Sequence, residues 1–408
     1  MVVVDPVRAG QEYLTAFREA GVEPIAVLTT DEPALPHRQV RLDDVEHVHV
    51  FRDSVTELAD ALRSYAPLCV IPASETGVEL ADALGELVAP GTGNVPELTA
   101  ARRDKWAMAS AARRAGLAHP RQVRADDPAV VADWLAAQGL AGARLVVKPP
   151  KSAGGDNVHV VPPGGDWRPA FDLIHRQTNK LGLVNDAVLV SEFVEGTEFM
   201  VDSYSADGRH GLVDVCRYVK KQRGDRIGLY DLIDFLPPDA PEVATIWPYV
   251  QRVLDAVGIR NGCGHTEVIL TPDGPVLVEL AARPAGGGHQ MITKLATGAN
   301  HITRTVDHRA RGEFAEGYRL IQYVCSVVIS APHAGIWRNA EIFDDVPALT
   351  TYYDQWFAAG TGEAVVATDD IYTMLGWVVL ASADKDAVEA DYRRLKELEL
   401  QLDIEPRA

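Results

Sequence analysis

Residues 262–288, GCGHTEVILTPDGPVLVELAARPAGGG, constrain this fold more than any other stretch of the chain. HTEVIL and PVLVEL are runs rich in β-branched and aliphatic residues. Thr271-Pro272-Asp273-Gly274 lies between them with turn chemistry: Pro fixes φ, Asp bonds its own backbone and Gly accepts positive φ. The pattern predicts a β-hairpin with the three-residue loop Pro272-Asp273-Gly274, a type I turn closed by a glycine bulge. That register sets Thr271 against Pro275 and Glu267 against Glu279. Like charges directly opposite one another repel. Two carboxylates there make sense around a hard divalent cation, and Mg²⁺ held by carboxylates and phosphate oxygens fits that description. As an exposed hairpin the same sequence would simply carry solvated glutamates, and a one-residue slip would put them on opposite faces. Arg283 follows, an always-charged fork suited to phosphate or carboxylate, and then Gly286-Gly287-Gly288, where backbone can approach a ligand.

Upstream, the first hundred residues alternate apolar runs with amphipathic ones. The strands are MVVVD, PIAVLT, VHVF and LCVIPAS, and the helices Gln11–Ala20, Val55–Tyr65 and Gly77–Leu87. Such alternation implies a parallel sheet covered by helices. No G-x-G-x-x-G follows the first strand, which leaves a dinucleotide site without support. Ser74-Glu75-Thr76-Gly77 falls at the carboxyl end of the fourth strand, where open α/β sheets bind ligands. A helix N-terminus with acidic capping explains it without a ligand, and is the preferred reading. Pro96-Glu97-Leu98-Thr99 opens a long helix ending near Gly116, in which Arg102, Arg103, Asp104 and Lys105 read as a solvated face. A short helix follows around Val130–Gln138.

The next block is richer in chemistry. In ARLVVKPPKSAGGDNVHVV a strand ends at Lys148, and a small-residue loop with Gly154-Gly155 leads into a second strand. A lysine and several backbone N–H groups so placed can surround phosphates, although many such loops are merely turns. The dipeptide Gly-Lys is absent, so this is not a Walker A loop. VLVSEFVEGTEFMVDSYS gives strand, turn and strand, with Glu192 and Glu198 bracketing the turn. H-E-x-x-H, G-x-S-x-G and zinc-spaced Cys/His clusters are all missing. His47-x-His49 lies in an apolar strand and reads as structural. Lys220–Tyr230, KKQRGDRIGLY, reads as a mobile basic loop or lid; further strands and a charged helix over Lys385–Leu400 complete the chain.

Composition narrows the partners. With 39 basic against 58 acidic residues the formal charge is −19, and no basic run offsets it, so nucleic-acid backbones are excluded as partners. A small substrate in a locally basic cleft remains compatible. No apolar run approaches the ~20 residues of a membrane span, and MVVVDPVRAG lacks a signal peptide's charged start and apolar core. Cys69, Cys216, Cys263 and Cys325 show no C-x-x-C pattern. The expectation is a cytoplasmic protein with reduced thiols and no membrane partner.

Taken in order, VVVDPVRAG, SETGVELADAL, RRDKWAM, VVKPPKSAGG, SEFVEGTEFMVD, HTEVIL and ELAARPAGGG resemble the ATP-grasp superfamily, nearest its bacterial L-amino acid ligases. The resemblance covers nearly the whole chain. It implies an α/β protein, α+β in the ATP-grasp part. The expected organisation is an N-terminal parallel α/β domain (1–97), connecting helices (98–140), an ATP-grasp small subdomain (141–205), a large subdomain with the metal hairpin (206–310), and a C-terminal β-rich segment with a closing helix (311–408). Residue by residue, it implies Lys105 and Lys148 on the ATP phosphates, with Ser152, Gly154 and Gly155 in the loop that folds over them. Glu192, Phe193 and Val194 match the adenine hinge and Glu198 the ribose ligand. Glu267 and Glu279 match the Mg²⁺ ligands, with Mn²⁺ as a substitute. Arg283, Gly286, Gly287 and Glu75 match substrate-binding positions, with Arg283 and Lys148 acting catalytically. Many relatives carry Asn two residues after the second metal glutamate; here that position is Ala281. The implied activity phosphorylates an amino acid carboxylate and joins it to an amine, releasing ADP; homodimers are common among such relatives. Other ATP-grasp classes, such as formyl or glycinamide ligases and carboxylases, share the nucleotide half and form a second reading. A non-catalytic nucleotide-binding protein is the third.

Overall fold

The computed structural model describes residues 1–32, 41–223 and 226–406. β1 (Val2–Val4), β2 (Ile25–Leu28), β3 (His47–Val50) and β4 (Val70–Pro72) form a parallel sheet in the order β3-β2-β1-β4. β1 and β2 are buried at every residue, as a parallel sheet with covered faces requires, and their sequences are accordingly apolar throughout. The carboxyl ends of these strands gather Asp5, Thr29 and Thr76 on one edge. Asp5 accepts from the Thr29 N–H and Oγ1, both at 2.8 Å.

β5 (Gln122–Ala125), β6 (Leu145–Lys148), β7 (His159–Val161) and β8 (Val188–Glu192) make a second, antiparallel sheet in the order β5-β8-β6-β7. β5 comes from the stretch in which sequence alone suggests helices. The third sheet starts with β9 (Thr197–Ala206), β10 (Arg209–Arg223), β11 (Arg226–Phe235), β12 (Gly262–Thr271), β13 (Gly274–Ala281) and β14 (Tyr323–Ile329). The chain then runs through β15 (Gly335–Trp337), β16 (Tyr352–Phe357), β17 (Ala364–Val365), β18 (Gly376–Ser382) and β19 (Ile404–Glu405). The large sheet is ordered β13-β12-β9-β10-β11-β14-β18-β16, so the C-terminal strands extend the sheet that carries the hairpin; β17-β15-β19 form a small separate sheet. Helix Pro241–Ala256 covers the β12–β13 end through Val243, Ile246, Val250, Val253 and Leu254, an apolar stripe at helical spacing. All four cysteines are buried and free.

Three expectations change. The basic run Lys220–Tyr230 is not a loop: Lys220–Arg223 belongs to β10 and Arg226–Tyr230 to β11, while Gly224 and Asp225 lie outside the described residues. The long helix from Pro96 is two elements, a 3₁₀ turn over Pro96–Arg102 and a helix over Lys105–Arg114. Asp104 separates them because its carboxylate accepts from the N–H groups of Trp106 (2.8 Å) and Ala107 (3.0 Å), an N-cap that starts a new helix. Arg102, Arg103 and Lys105 are buried rather than solvated. Arg102 pairs with Asp82 at 2.7 Å and donates to the Val257 carbonyl at 2.8 Å, tying the N-terminal domain to the large sheet's covering helix.

The third change is the hairpin turn. Thr271 pairs with Gly274, leaving a two-residue loop, Pro272-Asp273, one residue tighter than expected. A bulge at Val278 then shifts the register back, so Glu267 still faces Glu279.

Candidate active site

The two glutamates lie on one face of the large sheet, beside β9, whose Glu198 pairs with Ile269. Three carboxylates thus converge, and the cations come from elsewhere. Asp104's cap sets Lys105 at the first turn of its helix. The Lys105 ammonium lies 3.0 Å from Glu279 and donates to the Ser152 carbonyl at 3.1 Å. The Lys105 N–H donates to Pro150 O at 3.0 Å, fastening the helix start to the glycine loop. Lys148, at the end of β6, is buried, and Lys220 pairs with Glu198 at 2.5 Å.

The electrostatics of this cluster are lopsided. Burial, then Glu279 and Glu198, push Glu267 up to about 8. Burial also acts on Glu279, but Lys105 and Lys148 outweigh it and hold that carboxyl down to about 2. Burial, then neighbouring Lys105, lowers the Lys148 ammonium to about 8 against the pull of Glu279, Glu267 and Glu198. One carboxylate is neutralised by lysines; the other is short of a positive partner. A hard divalent cation between Glu267 and Glu279 would supply it, and this donor set fits such an ion. Ala281 faces His265 across the hairpin, and His265 Nε2 lies 3.9 Å from Glu267 Oε1. No oxygen donor is offered at position 281.

Gly154 and Gly155 adopt φ of +67° and +76°, turning the loop after Lys148 back on itself. A Cβ on Gly154 would stand 2.7 Å from the Tyr372 ring, so this position excludes side chains twice over. Gly154→Ala is therefore expected to raise the KM for ATP about tenfold, since an L-residue in the left-handed region costs roughly 1–2 kcal/mol before the clash is counted. Steady-state kinetics with varied ATP measures it, and an unchanged KM would count against this loop as the phosphate cradle.

At the expected hinge, the Glu192 carboxylate is occupied by Arg121, through Nε at 2.7 Å and the N–H at 2.8 Å. The N–H groups of Glu192 and Phe193 donate to the carbonyls of Arg121 (3.0 Å) and Arg144 (3.1 Å), and the Arg144 guanidinium lies over the Phe193 ring. Among the described residues this leaves the Val194 N–H as the uncommitted hinge donor.

Beyond β13, Arg283 Nε donates to Glu75 at 2.9 Å, and Arg103 meets the same carboxylate at 3.2 Å. Glu75 therefore does not cap the helix that follows: Gly77 is the N-cap, without a side-chain cap bond. The capping expectation fails because two guanidiniums outbid a backbone N–H. Burial works against the Arg283 charge, yet Glu75 raises its pKa, so the guanidinium stays charged. Gly286, Gly287 and Gly288 border open space. The loop is held from behind: His301 Nδ1 accepts from the Ala285 N–H at 3.3 Å, and Gln290 Nε2 donates to the Ala285 carbonyl at 3.1 Å.

That support belongs to a buried group the sequence reading missed. Asp202 Oδ1 lies 2.7 Å from His265 Nδ1 and its Oδ2 3.4 Å from His301 Nδ1, while Asp214 accepts from Thr293 at 2.7 Å and meets His289 Nε2 at 3.3 Å. The available signal was an Asp inside each apolar strand run, FMVDSYS and LVDVC, which only a buried polar partner can satisfy. The structure brings Lys105, Lys148, Ser152, Glu198, Glu267 and Glu279 together, with Arg283 and Glu75 alongside; Glu192's side chain is committed elsewhere.

Residues 141–292 match the family model of the ATP-grasp domain. A dapdiamide A synthase from Enterobacter agglomerans is 29% identical over 420 aligned positions, spanning 97% of this chain and 97% of that protein. The crystal structure of an L-amino acid ligase from Bacillus licheniformis superposes with a TM-score of 0.72 at 18% identity, covering 100% of this chain and 98% of that one. A carboxyaminoimidazole ribonucleotide synthase from Aspergillus clavatus, complexed with ATP, superposes with a TM-score of 0.66 at 14% identity, covering 98% of each. At these identities the two structural likenesses speak to the fold.

Proposed function

We propose, from the match of residues 141–292 to the ATP-grasp domain model, that the chain is an ATP-dependent carboxylate–amine ligase joining an amino acid carboxylate to an amino acid or similar amine. The observation that carries this reading is the pairing of Glu267 with Glu279 on one sheet face, with Lys105, Lys148 and Arg283 around it. No nucleophilic Ser or Cys is needed. Phosphoryl transfer asks for alignment and charge neutralisation rather than covalent help from a side chain.

The donor carboxylate oxygen attacks the γ-phosphorus, the bond to the β–γ bridging oxygen breaks, and ADP departs, leaving an acyl-phosphate. The amine nitrogen then attacks the acyl carbon, the carbon–oxygen bond to phosphate breaks, and the ammonium proton is released. Lys148 and Lys105 hold the phosphates as charge moves to the leaving group. Ser152, Gly154 and Gly155 cover them with backbone N–H groups, and Val194 with Glu198 places adenine and ribose. Mg²⁺, held by Glu267 and Glu279, supplies neutralisation of phosphate charge when bound. Arg283 holds the oxygens of the activated carboxyl, and Gly286 and Gly287 leave room for the donor side chain. The dapdiamide synthase likeness across the full chain supports an amide-forming enzyme.

The test is the nucleotide product. With pairwise amino acid mixtures, ADP and phosphate are expected in equal amounts with an amide condensate detected by mass spectrometry. Stoichiometric AMP and pyrophosphate would refute the acyl-phosphate route. ADP release stimulated by bicarbonate or a phosphoribosyl amine, with no amino acid pair active, would move the chain to another ATP-grasp class.

A further inference from the structure

The hairpin brings more than its two glutamates to the metal face. His265 pairs with Ala281 and Glu267 with Glu279, and the register between those pairs is unbroken. Side chains two residues apart on a strand share a face, so positions 265, 267, 279 and 281 are the corners of one patch. Ala281 offers only a methyl group there. The imidazole opposite it is the remaining donor.

His265 is buried, and its two nitrogens have different surroundings. Nδ1 lies 2.7 Å from Oδ1 of Asp202, its register partner on β9. An ionised carboxylate only accepts, so the neutral ring carries its proton on Nδ1 and its lone pair on Nε2. Nε2 makes no hydrogen bond among the described residues; its ionic contact is Glu267 Oε1 at 3.9 Å. That separation is too long for a hydrogen bond. It suits two donors of one ion, since ligands about 2.1 Å from a metal stand roughly 3–4 Å apart. A ring that donates its other N–H to a carboxylate is also how metal-bound histidines are usually held, because the carboxylate fixes tautomer and direction. A purely structural partner for Asp202 accounts for Nδ1 and leaves the aim of Nε2 unexplained.

We infer that His265 Nε2 is a further ligand of the metal held by Glu267 and Glu279, with Asp202 as its positioning residue. This rests on the assignment of the two glutamates to a metal and is independent of which substrates are joined. A nitrogen ligand also changes the preference of the site. Co²⁺ and Zn²⁺ gain from imidazole, whereas Mg²⁺ favours oxygen.

Pulsed electron paramagnetic resonance of Mn²⁺ with ADP on the full chain tests it, using protein with and without ¹⁵N-labelled histidine. A nitrogen coupling that changes with the label is expected, beside phosphorus coupling from the nucleotide. His265→Asn should abolish the first and keep the second. In calorimetry with ADP the same variant should weaken Co²⁺ binding at least about tenfold, the scale on which disturbing a histidine ligand acts, and Mg²⁺ binding less. Should it lose its native circular dichroism, the unaltered chain decides. Bound Fe²⁺ with hydrogen peroxide should then oxidise His265, as mapped by peptide mass spectrometry, and an untouched His265 counts against the inference. Phosphorus coupling without histidine coupling, histidine coupling that survives His265→Asn, or equal loss of Co²⁺ and Mg²⁺ overturns the ligand and leaves the glutamates' role standing. Failure of Mn²⁺ to bind with ADP overturns both.

Discussion

Glu267→Gln is expected to lower turnover on the order of a thousandfold, the upper end of what one charge-stabilising group contributes, while leaving the metal-free protein as stable as its parent or more so. The reason is that Glu267 lacks a positive partner of its own. Burial, Glu279 and Glu198 push its carboxyl up to about 8, whereas an unfolded glutamate titrates near ~4.3. A carboxyl whose folded pKa is raised binds its proton more tightly in the native state. Its contribution is therefore present below the unfolded pKa and is lost as pH climbs toward 8. Melting temperatures of the metal-free parent should fall over that window more steeply than those of the variant, and Mg²⁺ with ATP should restore the parent alone. The hairpin by itself predicts the same for Glu279, but the ion pair with Lys105 at 3.0 Å changes that expectation. Glu279→Gln strands two buried ammonium groups and should destabilise the apo protein as well as abolish turnover. Near-normal activity in either variant sinks the metal assignment.

Arg283→Ala is expected to lower kcat at least about a hundredfold, as loss of a charge-assisted contact to the developing acyl-phosphate would, while the KM for ATP stays within a few-fold. Glu75 keeps Arg103, so the fold should survive the loss of one of its two guanidinium partners. Arg283→Lys should recover little, because a point charge replaces the Nε donor at 2.9 Å from Glu75 and the planar fork together. Single-turnover ADP formation separates the two steps. Normal ADP formation with slow amide release would place Arg283 in the second transfer, and an unchanged rate in both would remove it from the site.

Much of the architecture was legible because it is written in local patterns. The apolar runs of β1, β2 and β4 and the Lys148, Glu198 and Glu279 positions follow from period, turn chemistry and order along the chain. What stayed hidden depended on partners distant in sequence. Arg102, Arg103 and Lys105 look like a charged helix face until Asp82, Glu75 and Glu279 are brought to them. The same holds for Glu75, whose plainest local role is a cap, and for the Asp202 and Asp214 cluster, assembled from three strands and two helices. Lys220 reads as lid because its run is basic and glycine-containing; its strand pairing and its bond to Glu198 are tertiary facts. The hairpin is a case of two departures cancelling. The turn is shorter than its residues suggest, and the bulge that compensates leaves no mark in VLVEL.

That bulge has a consequence for how the hairpin can change over time. Because Val278 takes up one residue between the tip and the glutamates, the length of the tip and the facing of the metal pair are set separately. A tip lengthened by one residue could be absorbed by losing the bulge, with Glu267 still across from Glu279. The tip is thus free to vary in length among descendants of this sequence, and alignments of such hairpins should be anchored on the glutamates, with gaps allowed on both sides of Val278.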